Sequence, residues 1–159
     1  MLYLGVIASL SPFLAATPAQ ENPAKTDLKH LQGSWQVILF QDDGKKEPDE
    51  VLKYIKWTFK GNTLFTTKAL TVTEDGKRTV KGQGGTVEET FTIDPSKKPK
   101  EMAGVTKKPF EGIETRSIYE LDGDSLKVCA NKDANAAVPK EFSAPPNSGR
   151  VLIILRRMK

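Results

Sequence analysis

The sequence predicts a mainly all-β protein, an antiparallel up-and-down β-barrel of about eight strands with one short helix in its body. Eight or nine short segments rich in aromatic and β-branched residues follow one another, with turn signals between neighbours. This pattern is typical of a β-sandwich or an up-and-down barrel. The last segment, at 151–157, is apolar on both of its faces. That pattern favours a strand that is central in a sheet or closes a barrel.

Length and composition fit one globular domain and exclude several kinds of function. The chain has 159 residues, of which 38% are hydrophobic and 28% charged, so wholesale disorder is not expected. The net charge of +4 is spread along the chain, which favours a solvated surface over a nucleic-acid partner. The single cysteine, Cys129, and the single histidine, His30, give neither a disulfide nor a metal-ligand pattern. We expect no metal and no cofactor.

The N-terminal segment predicts export. The first twenty residues carry no charged side chain, and 2–16 is apolar apart from two serines. This run is short and interrupted by Pro12, so a stable membrane span is not expected. Small residues follow it, which is typical of a signal peptide, although no lysine or arginine precedes it. We predict a signal peptide at 1–19, a linker with a short helix at 20–32, a barrel domain at 33–159, and a periplasmic or extracellular location.

Each predicted element rests on a local signal. Proline at the first position, acids in the first turn and later lysines predict a helix over 48–56. Asp75-Gly76 predicts a hairpin, and the glycines at 82–85 predict a break or bulge beside it. Five lysines and three prolines at 95–112 predict an exposed basic loop with at most one short strand near 102–106. The predicted strands are 34–41, 57–60, 63–72, 78–81, 86–93, 115–121, 125–130 and 151–157.

The first strand begins with Gly33-Ser34-Trp35, which has the form Gly-x-Trp. In this setting the motif resembles the lipocalin signature, in which the tryptophan plugs one end of the barrel. An arginine near the end of the last strand packs over that tryptophan, and Arg156 and Arg157 stand at the matching place. The resemblance implies structural roles for Gly33, Trp35 and one of the arginines. A guanidinium stacked on indole contributes about 0.5–2 kcal/mol.

A wider resemblance covers nearly the whole chain after the predicted signal peptide. The blocks that carry it are 31–35 (LQGSW), 59–61 (FKG), 93–100 (IDPSKKPK), 118–129 (IYELDGDSLKVC) and 139–142 (PKEF) followed by Gly149. They are similar to a planctomycete-type family of secreted lipocalin-like domains with no established function. The longer hairpin at 71–81 and the glycine cluster depart from that pattern. The resemblance implies a fold and an exported location, and it carries over no catalytic residue.

Apolar side chains alternate along the predicted strands and would face the barrel interior together. An eight-stranded barrel is just wide enough to be filled by side chains or to hold one small ligand. The same residues therefore serve either a packed core or a binding pocket, and both interpretations stay open. If there is a pocket, the expected ligand contacts are Trp57, Phe59, Phe91, Tyr119 and Leu121.

Two functions follow from these two interpretations. The first is an exported binding module that takes a small apolar or amphipathic ligand into the barrel. The alternative is a non-catalytic structural or interaction protein with a filled barrel, which contacts an exported or envelope partner through the long loops at 95–112 and 131–149. We do not expect an enzyme and predict no catalytic residue, because the acids lie mostly in turns and the sequence offers no acid–base pair.

Overall fold

The structure, a computed structural model, describes residues 22–159. The predicted signal peptide lies outside these residues. The described chain forms two helices and nine strands: α1 (Pro23–Leu31), β1 (Gly33–Asp42), β2 (Lys45–Lys46), α2 (Asp49–Leu52), β3 (Lys56–Lys60), β4 (Thr63–Glu74), β5 (Lys77–Asp94), β6 (Lys100–Lys108), β7 (Glu114–Asp122), β8 (Ser125–Asn131) and β9 (Arg150–Arg157).

The strands close into a barrel. Each strand from β3 to β8 pairs antiparallel with the next one along the chain. The first strand, β1, pairs with both β3 and β9 and so closes the barrel. Trp35 thus lies opposite Trp57 on one side and Arg157 on the other. The two-residue β2 only extends the edge of β1. The fold is a closed antiparallel β-barrel of eight strands, which confirms the predicted fold class and the closing role of the last strand.

Alternate residues of each strand face the interior, as the pleat of a β-strand requires. One ring of register partners runs Phe91, Gly104 and Thr115 across β5, β6 and β7. The residues of the interior core are Leu31, Trp35, Val37, Leu52, Trp57, Phe59, Leu64, Phe91, Met102, Tyr119, Leu126, Val128 and Leu155. Because β1 to β9 run up and down, turns and loops collect at the two ends of the barrel.

Two hairpin turns rest on Asp-Gly pairs. Asp43-Gly44 and Asp75-Gly76 have positive φ at both residues, which matches the twist of a two-residue hairpin. The predicted irregularity at the glycine cluster takes the form of bulges. The pairing of β4 with β5 shifts at two places, between Thr67 and Ala69 and between Leu70 and Thr71.

Two predicted elements have different lengths in the structure. The helix predicted over 48–56 spans only Asp49–Leu52, because Lys56 already pairs with both β1 and β4 as part of β3. The side-chain amide of Gln36 donates to the carbonyls of Leu52 and Ile55 and so satisfies the end of this short helix.

Half of the basic segment at 95–112 is a strand, so its prediction as an exposed loop with at most one short strand near 102–106 was wrong in extent. Residues Lys100–Lys108 form β6, which pairs with β5 on one side and β7 on the other. Met102, Gly104 and Thr106 are buried at alternate positions of this strand. The lysine-rich composition hid that alternation, because hydrogen bonding on both edges outweighs local preference in a closed barrel.

Candidate ligand-binding cavity

One end of the barrel is sealed by Trp35, which is fully buried at the start of β1. Its indole nitrogen donates to the Leu31 carbonyl at 2.8 Å, and the Arg157 guanidinium lies 4.2 Å from the ring centroid. Arg157 also donates to the Gln32 carbonyl at 2.7 Å. Of the two candidate arginines, only Arg157 covers the tryptophan. Arg156 is exposed, because the next residue of a strand faces the opposite side.

A buried polar cluster fixes α1 against this closed end. The Asp27 carboxylate accepts hydrogen bonds from the Tyr119 hydroxyl and the Lys100 ammonium, both at 2.7 Å. Burial, and then the hydrogen bond to Asp27, raise the pKa of Tyr119. The Asp27 carboxylate is matched by one cation and one hydroxyl donor, so the cluster serves to stabilise the fold.

The other end of the barrel, which we call the open end, holds a cavity of about 240 Å³. Inward-facing positions here carry small residues, among them Gly104, Ser117 and Ala130, in place of large apolar ones. Thr115 at its rim is exposed, so the cavity communicates with solvent. The lining residues are Phe40, Trp57, Leu64, Glu89, Phe91, Met102, Gly104, Thr115, Ser117, Val128, Ala130, Val151 and Ile153.

The five predicted ligand contacts divide between this cavity and the packed core. Trp57 and Phe91 line the cavity. Phe59 does not line it; its ring packs edge to face against both, with centroids 6.1 Å and 5.2 Å away. Tyr119 is held by Asp27 at the closed end, and Leu121 packs against the core beside it. The structure therefore brings only two of the five together at the cavity.

The cavity contains one carboxylate, that of Glu89 on β5. Its side chain lies over Gly104, where an added Cβ would collide with the carboxyl group. The Thr115 hydroxyl donates a hydrogen bond to Glu89 Oε1. Burial raises the pKa of Glu89, and the bond from Thr115 opposes this only in part. Within residues 22–159, no lysine or arginine lies within 4.0 Å of this carboxylate.

Sequence reasoning missed Glu89, although a signal for it exists. Val87, Glu89, Phe91 and Ile93 share one face of β5, so an acid interrupts a run that is otherwise apolar. Such an acid faces the interior if its neighbours do. The prediction that the acids lie mostly in turns and on polar strand faces is wrong for Glu89, which faces the cavity from β5.

The cavity lining can bind and orient a molecule, and its chemistry is simple. Among the lining residues, all within 22–159, Glu89 alone is ionisable. Across the same described range, no three histidine, cysteine, aspartate or glutamate side chains group into a metal site. No helix in the part of the chain that the structure describes has the length and hydropathy to cross a membrane.

The strand pairing and the Trp35–Arg157 contact define a lipocalin-like β-barrel. No family model matches the chain, and no curated protein matches it either. Among solved structures, it is similar to a lipocalin-like protein from Bacteroides uniformis at 15% sequence identity. The alignment covers 81% of this chain and 99% of that one, with a TM-score of 0.48.

Proposed function

We propose that this protein is a binding module that holds a small amphipathic ligand inside the open end of its barrel. The cavity of about 240 Å³ is the observation that supports this proposal. Its walls are mainly apolar, with Trp57, Leu64 and Met102 among them, and a few polar groups stand at one side. Pockets that bind small molecules share this combination of apolar walls and few, fixed polar groups.

The volume limits the size of the ligand. An apolar cavity of about 150 Å³ is enough to bind benzene. By proportion, the open-end cavity would take a ligand of roughly ten non-hydrogen atoms, such as one ring with a short polar arm. A long acyl chain would not fit without moving the walls.

The alternative function, a filled barrel that acts only through its loops, has less support. The interior is packed at the closed end but not at the open end. Half of the segment 95–112, which that function would use as a contact loop, lies in the strand β6. We also propose that the protein is not an enzyme, since a single carboxylate in the lining supplies no acid–base pair.

Export remains part of the proposal. It is supported by the uncharged, apolar run at 2–16 and by the small residues that follow it. N-terminal sequencing of the protein recovered from the periplasm or the medium would test it. A chain that keeps residues 1–19 and stays in the cytoplasm would contradict it.

The binding proposal is tested by titration calorimetry with phenylethanol, a neutral amphiphile of suitable size. Wild-type protein should bind it, and Ala130→Leu should abolish binding, because the leucine fills the cavity. Ala103→Leu is the matched control, since Ala103 is exposed on the outer face of β6. Equal binding by wild type and Ala130→Leu would contradict the proposal. Native mass spectrometry of the purified protein would then weigh any ligand that it retains.

A further inference from the structure

The carboxylate of Glu89 lies in a setting that disfavours its charge. It faces an apolar cavity, and the one hydrogen bond that it accepts within residues 22–159 comes from a neutral hydroxyl, that of Thr115. Removing a carboxylate from water is costly unless a cation or several donors replace the water. At this place the residues that the structure describes supply neither a cation nor several donors.

The surrounding residues hold the carboxylate in the cavity. Gly104 leaves the space that the carboxyl group occupies, and even an alanine there would collide with it. Thr115, the register partner of Gly104 on β7, donates to one of its oxygens. From the neighbouring strands, Leu64 of β4 and Thr106 of β6 are its register partners, and neither is ionisable. Within residues 22–159, the neighbouring residues leave space for the Glu89 carboxyl group and orient it, but none of them supplies a positive charge.

We infer that the ligand of the cavity is a small amine, whose cationic group binds the Glu89 carboxylate while its apolar body lies against the aromatic walls. This inference rests on the proposed function. A cation–carboxylate hydrogen bond is stronger than a neutral one, and it gains further in a low-dielectric site. The rings of Phe40, Trp57 and Phe91 add faces that attract cations and planar apolar groups alike.

The inference is tested with three compounds that share a phenyl ring and a two-carbon arm: phenethylamine, phenylethanol and phenylacetate. They differ only in being cationic, neutral and anionic at neutral pH. Calorimetric titration of the wild type should give the tightest binding for the amine. The alcohol should bind roughly tenfold more weakly, as a charge-assisted bond exceeds a neutral one. The anion should bind more weakly still.

Two variants assign this preference to Glu89. Glu89→Gln keeps the size of the side chain and should bring amine and alcohol to equal affinity. Glu88→Gln is the matched control, since Glu88 faces outward and lies 3.7 Å from Lys108. It should keep the wild-type preference. Thermal melts of both variants establish that they are folded.

The outcomes separate this inference from the proposed function. Equal affinity for amine and alcohol in the wild type would overturn the amine inference and leave the cavity as a binding site. An amine preference that survives in Glu89→Gln would overturn it as well. If none of the three compounds binds, the proposed function fails and the inference fails with it.

Discussion

Asp27 on α1 and Glu89 on β5 lie near opposite ends of the barrel, and their carboxylates differ in their partners. Asp27 at the closed end accepts hydrogen bonds from Lys100 and Tyr119. Within residues 22–159, Glu89 at the open end accepts one, from Thr115, and no lysine or arginine is among the residues that line its cavity. Asp27 is buried between α1 and its two partners, whereas Glu89 faces a cavity lined by small residues such as Gly104 and Ser117.

The difference separates a structural acid from a candidate binding acid. A buried charge that stabilises a fold is matched by opposite charge and by donors from the same chain. A charge left without such partners, beside an opening large enough for a small molecule, is available to a ligand. Substitutions at the closed end and at the open end of the barrel test this contrast.

The largest expected effect lies at the closed end. Trp35→Ala should reduce the free energy of unfolding by about 3–5 kcal/mol, because it removes a fully buried indole that Arg157 covers. Trp57→Ala, at the cavity, should cost less, about 2–3 kcal/mol, since one side of that ring already lacks packing partners. Urea unfolding of the two variants measures both. Equal losses would contradict the contrast between the ends.

The second prediction compares the two carboxylates directly. Asp27→Asn should destabilise the protein by about 1–3 kcal/mol, because it leaves the Lys100 ammonium without its anion. Glu89→Gln should raise the melting temperature at neutral pH, since it removes an unpaired charge. Thermal melts of both variants and the wild type in the same buffer measure the two changes in melting temperature. A Glu89→Gln variant less stable than the wild type would show that this carboxylate, too, stabilises the fold.

The third prediction concerns the space that holds Glu89. Gly104→Ala should cost about 1 kcal/mol, because its Cβ displaces the carboxyl group of Glu89, the far end of a flexible side chain, and meets the Thr115 hydroxyl. In the background of Glu89→Ala the same substitution should cost less, with a coupling of about 0.5 kcal/mol between the sites. Denaturant unfolding of the four proteins in the cycle measures it. Additive effects would mean that the glycine does not serve Glu89.

The smallest expected effect is in the pH dependence of stability. The pKa of Glu89 is raised in the folded protein, so the native state binds its proton more tightly than the unfolded chain does. Stability of the wild type relative to Glu89→Gln should therefore fall as pH rises from the unfolded value, about 4.3, through the higher folded pKa. Below that pH window, the free energies of unfolding of the two proteins should become similar. A constant difference across it would contradict the shift.

The sequence was sufficient for much of the fold and for the closed end of the barrel. Alternation and turn signals predicted a sandwich or an up-and-down barrel. The resemblance of Gly33-Ser34-Trp35, with Arg156 or Arg157, to the lipocalin signature favoured the barrel and pointed to its closed end, and the structure selects Arg157. The cavity was not predictable in the same way. It depends on which interior residues meet across strands, as Glu89, Gly104 and Thr115 do, although they are far apart in sequence. The strand β6 was predicted too short, near 102–106, because the lysines around it suggested a loop.

The two tryptophans of the chain allow a direct test of ligand binding at the open end of the barrel, since Trp35 seals the closed end and Trp57 lines the cavity. The measurement is a nitrogen–proton correlation spectrum of the two indole groups during titration with phenethylamine. If the amine binds at the open end, the Trp57 indole signal should move in a saturable way while that of Trp35 stays in place. Equal movement of both signals, or of neither at saturating amine, would contradict binding at the open end.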